Sequence, residues 1–235
     1  MKQPHVHQIL TGKVKQLGSP TASTPMEKLW ESGMFKKEWQ GRIWLGETGL
    51  QGDEVADKKN HGGLDKAVFA YPISHYEYWK NDLENDAIGI GANGENFAVD
   101  HMDESTVCIG DTYKIGDAVI QVSQPRQPCW KPARRFRVVD FALRIQKTGR
   151  TGWYFRVLQE GEVESNTSLV LIDRPFPQWT ISKCNEVMHV HKDDLRLTEE
   201  LASCELLADR LKKTLQKRLS GKKSSVEKRV FGPNK

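Results

Sequence analysis

From Val6 to about Ser123 the chain is a succession of short apolar runs, each cut off by glycine or proline before it reaches helical length. KVKQL stops at Gly18, RIWL at Gly46 and AVFAY at Pro72. Short runs rich in β-branched and aromatic residues between such breakers read as strands. In TVCIGDTYKIGDAVIQVSQ, Gly116-Asp117 joins two of them. Ala118, Ile120 and Val122 there alternate with Val119, Gln121 and Ser123, the pattern of a hairpin strand with one buried face. GWYFRVLQEGEV and SLVLIDRP return to strand character further on. Many short strands with few helices between them favour a barrel or sandwich over a doubly wound sheet.

Helical signals are sparse until the last quarter. PISHYEYWKNDLEND reads as a helix with Pro72 in its first turn, and ARRFRVVDFALRIQKTG as a short helix closed by Gly149. RPFPQW, with two prolines, marks the boundary between a strand-rich domain over 1–177 and a helical appendage with a basic tail over 178–235. Beyond it, Leu197, Leu201, Cys204, Ala208, Leu211 and Leu215 recur at spacings of four and three, with Thr198 as cap. Ile181, Cys184, Val187 and Met188 offer a matching face. The 235 residues, 37% of them apolar, suffice for one substantial core.

The net charge of +4 is uneven: residues 205–235 carry ten Lys/Arg against three Asp/Glu, or +7, leaving −3 for the rest. Such a tail reads as a solvated, partly disordered terminus, and charge alone does not make the chain a nucleic-acid binder. With no long apolar run and no secretory signal, a soluble, cytoplasmic protein with no membrane association is expected. Cys108, Cys129, Cys184 and Cys204 are far apart, so they read as free thiols, and no four-cysteine iron–sulfur spacing is present.

Three stretches carry more polar and conformationally special residues than folding requires. In KKNHGGLDKAVFAY, Gly62-Gly63 sets His61 at a tight turn, Asp65 and Lys66 begin a strand, and Lys58, Lys59 and Lys66 can attract an anion. In GANGENFAV, Gly91 and Gly94 bracket Asn93, whose amide donates and accepts, before Asn96 and Phe97 enter a strand. QPRQPCWKPARRF sets Cys129 among Pro125, Pro128 and Pro132, which keep the segment a rigid, open loop, with Arg126, Lys131, Arg134 and Arg135 nearby. Neighbouring cations lower a thiol's pKa and favour the thiolate, the reactive and metal-binding form. Those residues leave two roles open for Cys129, nucleophile paired with His61 or metal ligand. Cys108, Cys184 and Cys204 fall in apolar patterns and read as core.

Taken in order, HGGLDKAV, GANGENFAV and QPRQPCWK resemble the MOSC family, named after the carboxy-terminal part of molybdenum cofactor sulfurases. The resemblance spans roughly 10–175, and the segment after it resembles the three-helix appendage of bacterial YiiM-type members. It implies a mostly β fold with some α, a β-barrel core plus a small C-terminal helical appendage. It also implies a molybdenum–molybdopterin cofactor with Cys129 as metal ligand, and reduction of N-hydroxylated compounds such as 6-N-hydroxylaminopurine to amines. On that reading Cys129 and His61 are catalytic, and Lys59, His61, Gly62, Lys66, Asn93, Asn96, Arg126 and Lys131 hold the cofactor or position substrate. Electrons would come from a separate flavin or iron–sulfur protein, and the leucine stripe would serve a homodimer. The alternative is a persulfide carrier with sulfane sulfur on Cys129.

Overall fold

Strand-forming runs of this length must pair to satisfy their backbone groups, and here they do so in one nine-stranded sheet. The structure, a computed structural model, describes residues 3–222 and 225–235. The main strands are β1 (His5–Thr11), β2 (Val68–Pro72), β3 (Phe97–Asp100), β4 (Thr112–Ile115), β5 (Ala118–Pro125), β6 (Trp153–Gln159), β7 (Thr167–Ser168) and β8 (Val170–Asp173). They lie in the order β7-β1-β3-β2-β6-β5-β4-β8, with Lys37–Glu38 paired to the far end of β1. β2 and β3 run parallel and the other pairs antiparallel. The two ends of this path do not pair, so the sheet curls into a half-barrel. The expected fold, mostly β with C-terminal helices, is the one observed.

β5 departs from the half-buried pattern. Gln121 and Ser123 on its supposed outer face are also buried. The cause is a second layer. Ser123 Oγ donates to the Asp65 carbonyl, its own carbonyl accepts from Ala208 N at 2.9 Å, and Arg156 joins Gln121 to the Leu206 carbonyl. Arg156 also pairs with Asp65.

Helix boundaries needed tertiary context. Pro72 ends β2, and the helix that follows, α2 (His75–Leu83), buries Tyr76 and Trp79. Asp65 and Lys66 lie in a 3₁₀ turn, and strand begins at Val68. The helix expected over 133–149 is two, α3 (Lys131–Phe136) and α4 (Phe141–Thr148), broken where Arg137 takes φ 58° and closed at Gly149 with φ 71°. The stripe after RPFPQW is likewise divided, after α5 (Ile181–Asn185) and a π turn over Glu186–Val190, into α6 (Leu195–Ala202) and α7 (Asp209–Leu219). Asp194, whose carboxylate accepts from Leu197 N at 2.9 Å, caps α6; Thr198 lies inside it.

Leu201, Cys204, Leu211 and Leu215 join Ile181, Cys184 and Val187 in one continuous core with sheet residues such as Ile109, Ile120 and Phe155. The stripe proposed for dimerisation is therefore covered by the chain's own sheet. The tail is ordered too: residues 227–235 form α8 (Glu227–Val230) and a turn over Gly232–Asn234, with Val230 buried. Among the described residues no helix is long and apolar enough to cross a membrane.

Candidate functional site

The chain leaves β5 at Pro125 and reaches α3 at Lys131 through five residues, and both ends of that loop are fastened. Arg126 N donates to the Gly152 carbonyl at 3.0 Å. Gly152 has φ 65°, and a Cβ there would lie 2.3 Å from the Ala70 carbonyl oxygen, so this close approach requires glycine. At the other end Pro132 suits the first turn of α3. The C-terminal tail then straps the loop from outside. Trp130 N donates to the Arg229 carbonyl at 2.9 Å, and the Asn234 amide donates to the Trp130 carbonyl at 3.1 Å. The Arg229 guanidinium donates to the Pro128 carbonyl and to Gln146 Oε1. Gly232 lies so close to the Trp130 indole that a Cβ would stand 2.2 Å from the ring. The strap is hidden in the sequence because its basic composition resembles that of a solvated terminus.

Cys129, expected in an open loop, is 8% exposed and sits where two lobes of a cleft meet. The inner lobe, about 770 Å³, and the outer lobe, about 1510 Å³, share Asp57, His61, Lys66, Cys129, Lys131 and Tyr154. Burial alone would push the Cys129 thiol up, but the His61 charge and hydrogen bond, the Arg126 charge and the Lys131 amide outweigh it and bring the pKa down to about 6. The other three cysteines are shifted up by burial. Cys129 is thus a thiolate at neutral pH in a chain whose remaining thiols are inert.

His61 reaches the sulfur from α1 (Lys58–His61), whose start is capped by Asp57, accepting from Asn60 N at 3.0 Å. Gly62 closes α1 by donating to the Lys58 carbonyl and lines neither lobe; Gly63, at φ 100°, makes the turn that follows. Lys66 reaches back to the Asn60 carbonyl at 2.6 Å and stands over the Tyr154 ring, with burial, then Arg210, lowering its pKa to about 8. Lys59 is exposed and touches only the outer lobe.

Arg126 is 4% exposed, lies 4.9 Å over the Phe69 ring, and its Nη1 has no partner. Asn93, 3% exposed, has neither amide atom paired. Both line the inner lobe. Asn96 lines it as well, but its oxygen accepts from Phe69 N, and its nitrogen donates to the Leu10 carbonyl and, at 2.8 Å, to Asp53. Asp53 in turn pairs with buried Lys36 and accepts from Gly12 N. Glu95, fully buried, accepts from Tyr76 and from the amides of Gly91 and Asn93, while Arg135 donates to the carbonyls of Met34, Gly91 and Ala92. Burial raises the Glu95 pKa. Glu95, Asp53 and Arg135 thus shape the 91–96 loop, and no spacing in the sequence pairs them.

The comparisons with known proteins agree with this geometry. Residues 57–170 match the MOSC domain, and residues 179–222 the YiiM-like 3-alpha helix domain. Protein YiiM of Escherichia coli (strain K12) is 38% identical over 204 residues, 86% of this chain and 91% of that protein. The chain belongs to the MOSC family. Its fold follows the crystal structure of YiiM from Escherichia coli with a TM-score of 0.80 at 30% identity, covering 98% of this chain and 100% of that one. A protein from Gibberella moniliformis (strain M3125 / FGSC 7600) named "Reductase" is 38% identical over 172 residues, 72% of this chain but 30% of its own length. The MOSC family is associated with the molybdenum cofactor. The inner lobe fits such a group: a soft thiolate for the metal, an unpaired guanidinium edge for an anion, and an unpaired amide for a hydrogen-bonding heterocycle.

Proposed function

We propose that this MOSC protein reduces N-hydroxylated compounds to amines with a molybdenum cofactor held in the inner lobe. The observation that carries the proposal is the Cys129 thiolate at the junction of the two lobes, beside buried Asn93 and Arg126 atoms that no protein group satisfies. Buried polar atoms without partners are costly, and a ligand that supplies their hydrogen bonds relieves the cost.

The overall change is R–NHOH plus two electrons and two protons to R–NH₂ and water. The cofactor, when bound, supplies the two electrons, replenished from a donor protein. The chain supplies the rest. Cys129 would ligate the metal, Arg126 and Lys131 would hold anionic groups, and Asn93 would fix the orientation of the ring system. His61, within hydrogen-bonding reach of the sulfur, holds a proton beside the reacting region and orients the ligand. Lys66, with its pKa lowered to about 8, is a second group able to release a proton near neutral pH.

The test is elemental analysis with pterin detection on protein made in a host that synthesises the cofactor, combined with reduction of 6-N-hydroxylaminopurine by the purified protein. Wild type should carry molybdenum and form adenine, and Cys129→Ala should do neither. A persulfide carrier, which the same low thiol pKa suits, would instead show sulfane sulfur on Cys129 and no stoichiometric molybdenum.

A further inference from the structure

The outer lobe has a charge pattern that the cofactor does not require. Lys59, Lys66, Lys131, Arg210, Lys228 and Arg229 line it, against Asp57 as its carboxylate. None of these six cations lies within salt-bridge distance of a carboxylate among the described residues. Arg210 donates only to neutral groups, the Lys59 carbonyl and Asn60 Oδ1, and Arg229 to the Pro128 carbonyl and Gln146. Among the residues that line the lobe only Asp57 and the Cys129 thiolate offset these six cations, which leaves an excess of positive charge.

Arg210, Lys228 and Arg229 come from α7 and from the tail strap, and none lines the inner lobe. The inner lobe has its own anion-binding group in Arg126 and shares Lys66 and Lys131. The two lobes thus share Lys66 and Lys131, while Arg126 lines the inner one alone and Lys59, Arg210, Lys228 and Arg229 the outer one alone. The outer one is also equipped for a heteroaromatic ring. Gln124, 3% exposed, has an unpaired Oε1, and its orientation is fixed because Nε2 donates to the Pro125 carbonyl. Gln127 has an unpaired Nε2. An acceptor and a donor from two amides, with Tyr154 and Trp130 as apolar walls, match the edge and face of a nucleobase.

Resting on the reductase reading above, we infer that the outer lobe is a substrate subsite for nucleotides, with the phosphate on Arg210 and Lys228 and the base toward Cys129. The substrates are then N-hydroxylated bases carried as nucleoside monophosphates, and the C-terminal strap is part of the substrate site.

The test is calorimetric titration of the molybdenum-loaded and cofactor-free proteins with adenosine 5′-monophosphate and with adenosine. In both preparations the monophosphate should bind about tenfold more tightly than the nucleoside, the scale of one or two charge-assisted hydrogen bonds. Lys228→Ala and Arg210→Ala should each shrink that ratio while leaving adenosine binding and molybdenum content unchanged. Because Arg210 also fastens the Lys59 carbonyl and the Asn60 side chain, Lys228→Ala, on an exposed side chain, keeps the test readable if the other variant folds poorly. Equal affinity for the two ligands overturns the inference, as does a ratio that survives both substitutions. Loss of the preference on cofactor loading, with molybdenum content falling in the variants, also overturns it and gives the lobe to the cofactor's own phosphate. Absence of molybdenum from the wild type overturns the reductase reading instead, and the preference for the monophosphate is read independently of it.

Discussion

The loops 91–96 and 124–131 both face the inner lobe, yet the fold uses their polar groups in opposite ways. In the first, Glu95 and Asn96 have all their functional oxygens and nitrogens engaged by Tyr76, Asp53, Leu10, Phe69 and loop amides, leaving only the Asn93 side chain free. In the second, backbone strapping by Gly152 and Arg229 immobilises the chain while Gln124, Arg126, Gln127 and the Cys129 thiolate keep atoms unpaired or reactive. One loop is mostly frame and the other mostly site. A motif that brackets a pocket therefore contains both kinds of residue, and hydrogen-bond satisfaction separates them.

Substitutions should divide along the same line. The largest effect falls on the frame: Asp53→Ala strips Lys36 of its buried partner and should cost about 3–5 kcal/mol of unfolding free energy, measured by denaturant titration. If Asp53→Ala were as stable as wild type, the frame assignment would fail. His61→Ala should instead spare stability and lower metal retention by about 10–100-fold, as loss of a group orienting a metal ligand does. It should also move the half-maximum of Cys129 alkylation upward from about pH 6, since His61 supplies the largest of the contributions that oppose the burial penalty. The sign follows from the thiolate: below that midpoint the sulfur is protonated and alkylation slows.

Asn93→Ala gives a smaller and more discriminating effect. Removing an unpaired buried amide should leave the cofactor-free protein unchanged or more stable by about 1 kcal/mol, while weakening cofactor retention. A clear loss of stability in Asn93→Ala would move it to the frame. Lys59→Ala should be nearly silent, within about 0.5 kcal/mol in a melting experiment, because the side chain is exposed and unpaired among the described residues.

Much of the architecture was legible because period-two runs and Gly/Pro breakers are local signals. The strand-rich body with C-terminal helices follows from them, as does the burial of Ile181, Cys184, Leu211 and Leu215, whereas the choice of a barrel over a sandwich came from the family resemblance. Helix ends were less legible. Arg137 in the left-handed region and Asp194 as a cap depend on tertiary contacts that spacing does not encode. In the site, Cys129, His61, Lys66, Asn93, Arg126 and Lys131 do converge. Gly62 and Lys59 were singled out by motif adjacency, and the structure gives the first a turn-closing role and the second a rim position. Asn96 has the right residue type and the right lobe, but its amide is committed to the fold. Tyr154 and Arg229 were missed because they meet the Cys129 loop from about 25 and 100 residues away in sequence, and Gln124 because its unpaired oxygen is a property of the fold alone.

The most direct test of the central claim is molybdenum content per chain in wild type and Cys129→Ala, both made in the same cofactor-producing host. About one molybdenum per wild-type chain and none in the variant, at matched melting temperature, is the outcome that thiolate ligation predicts. Equal molybdenum in both proteins, or none in either, would contradict it.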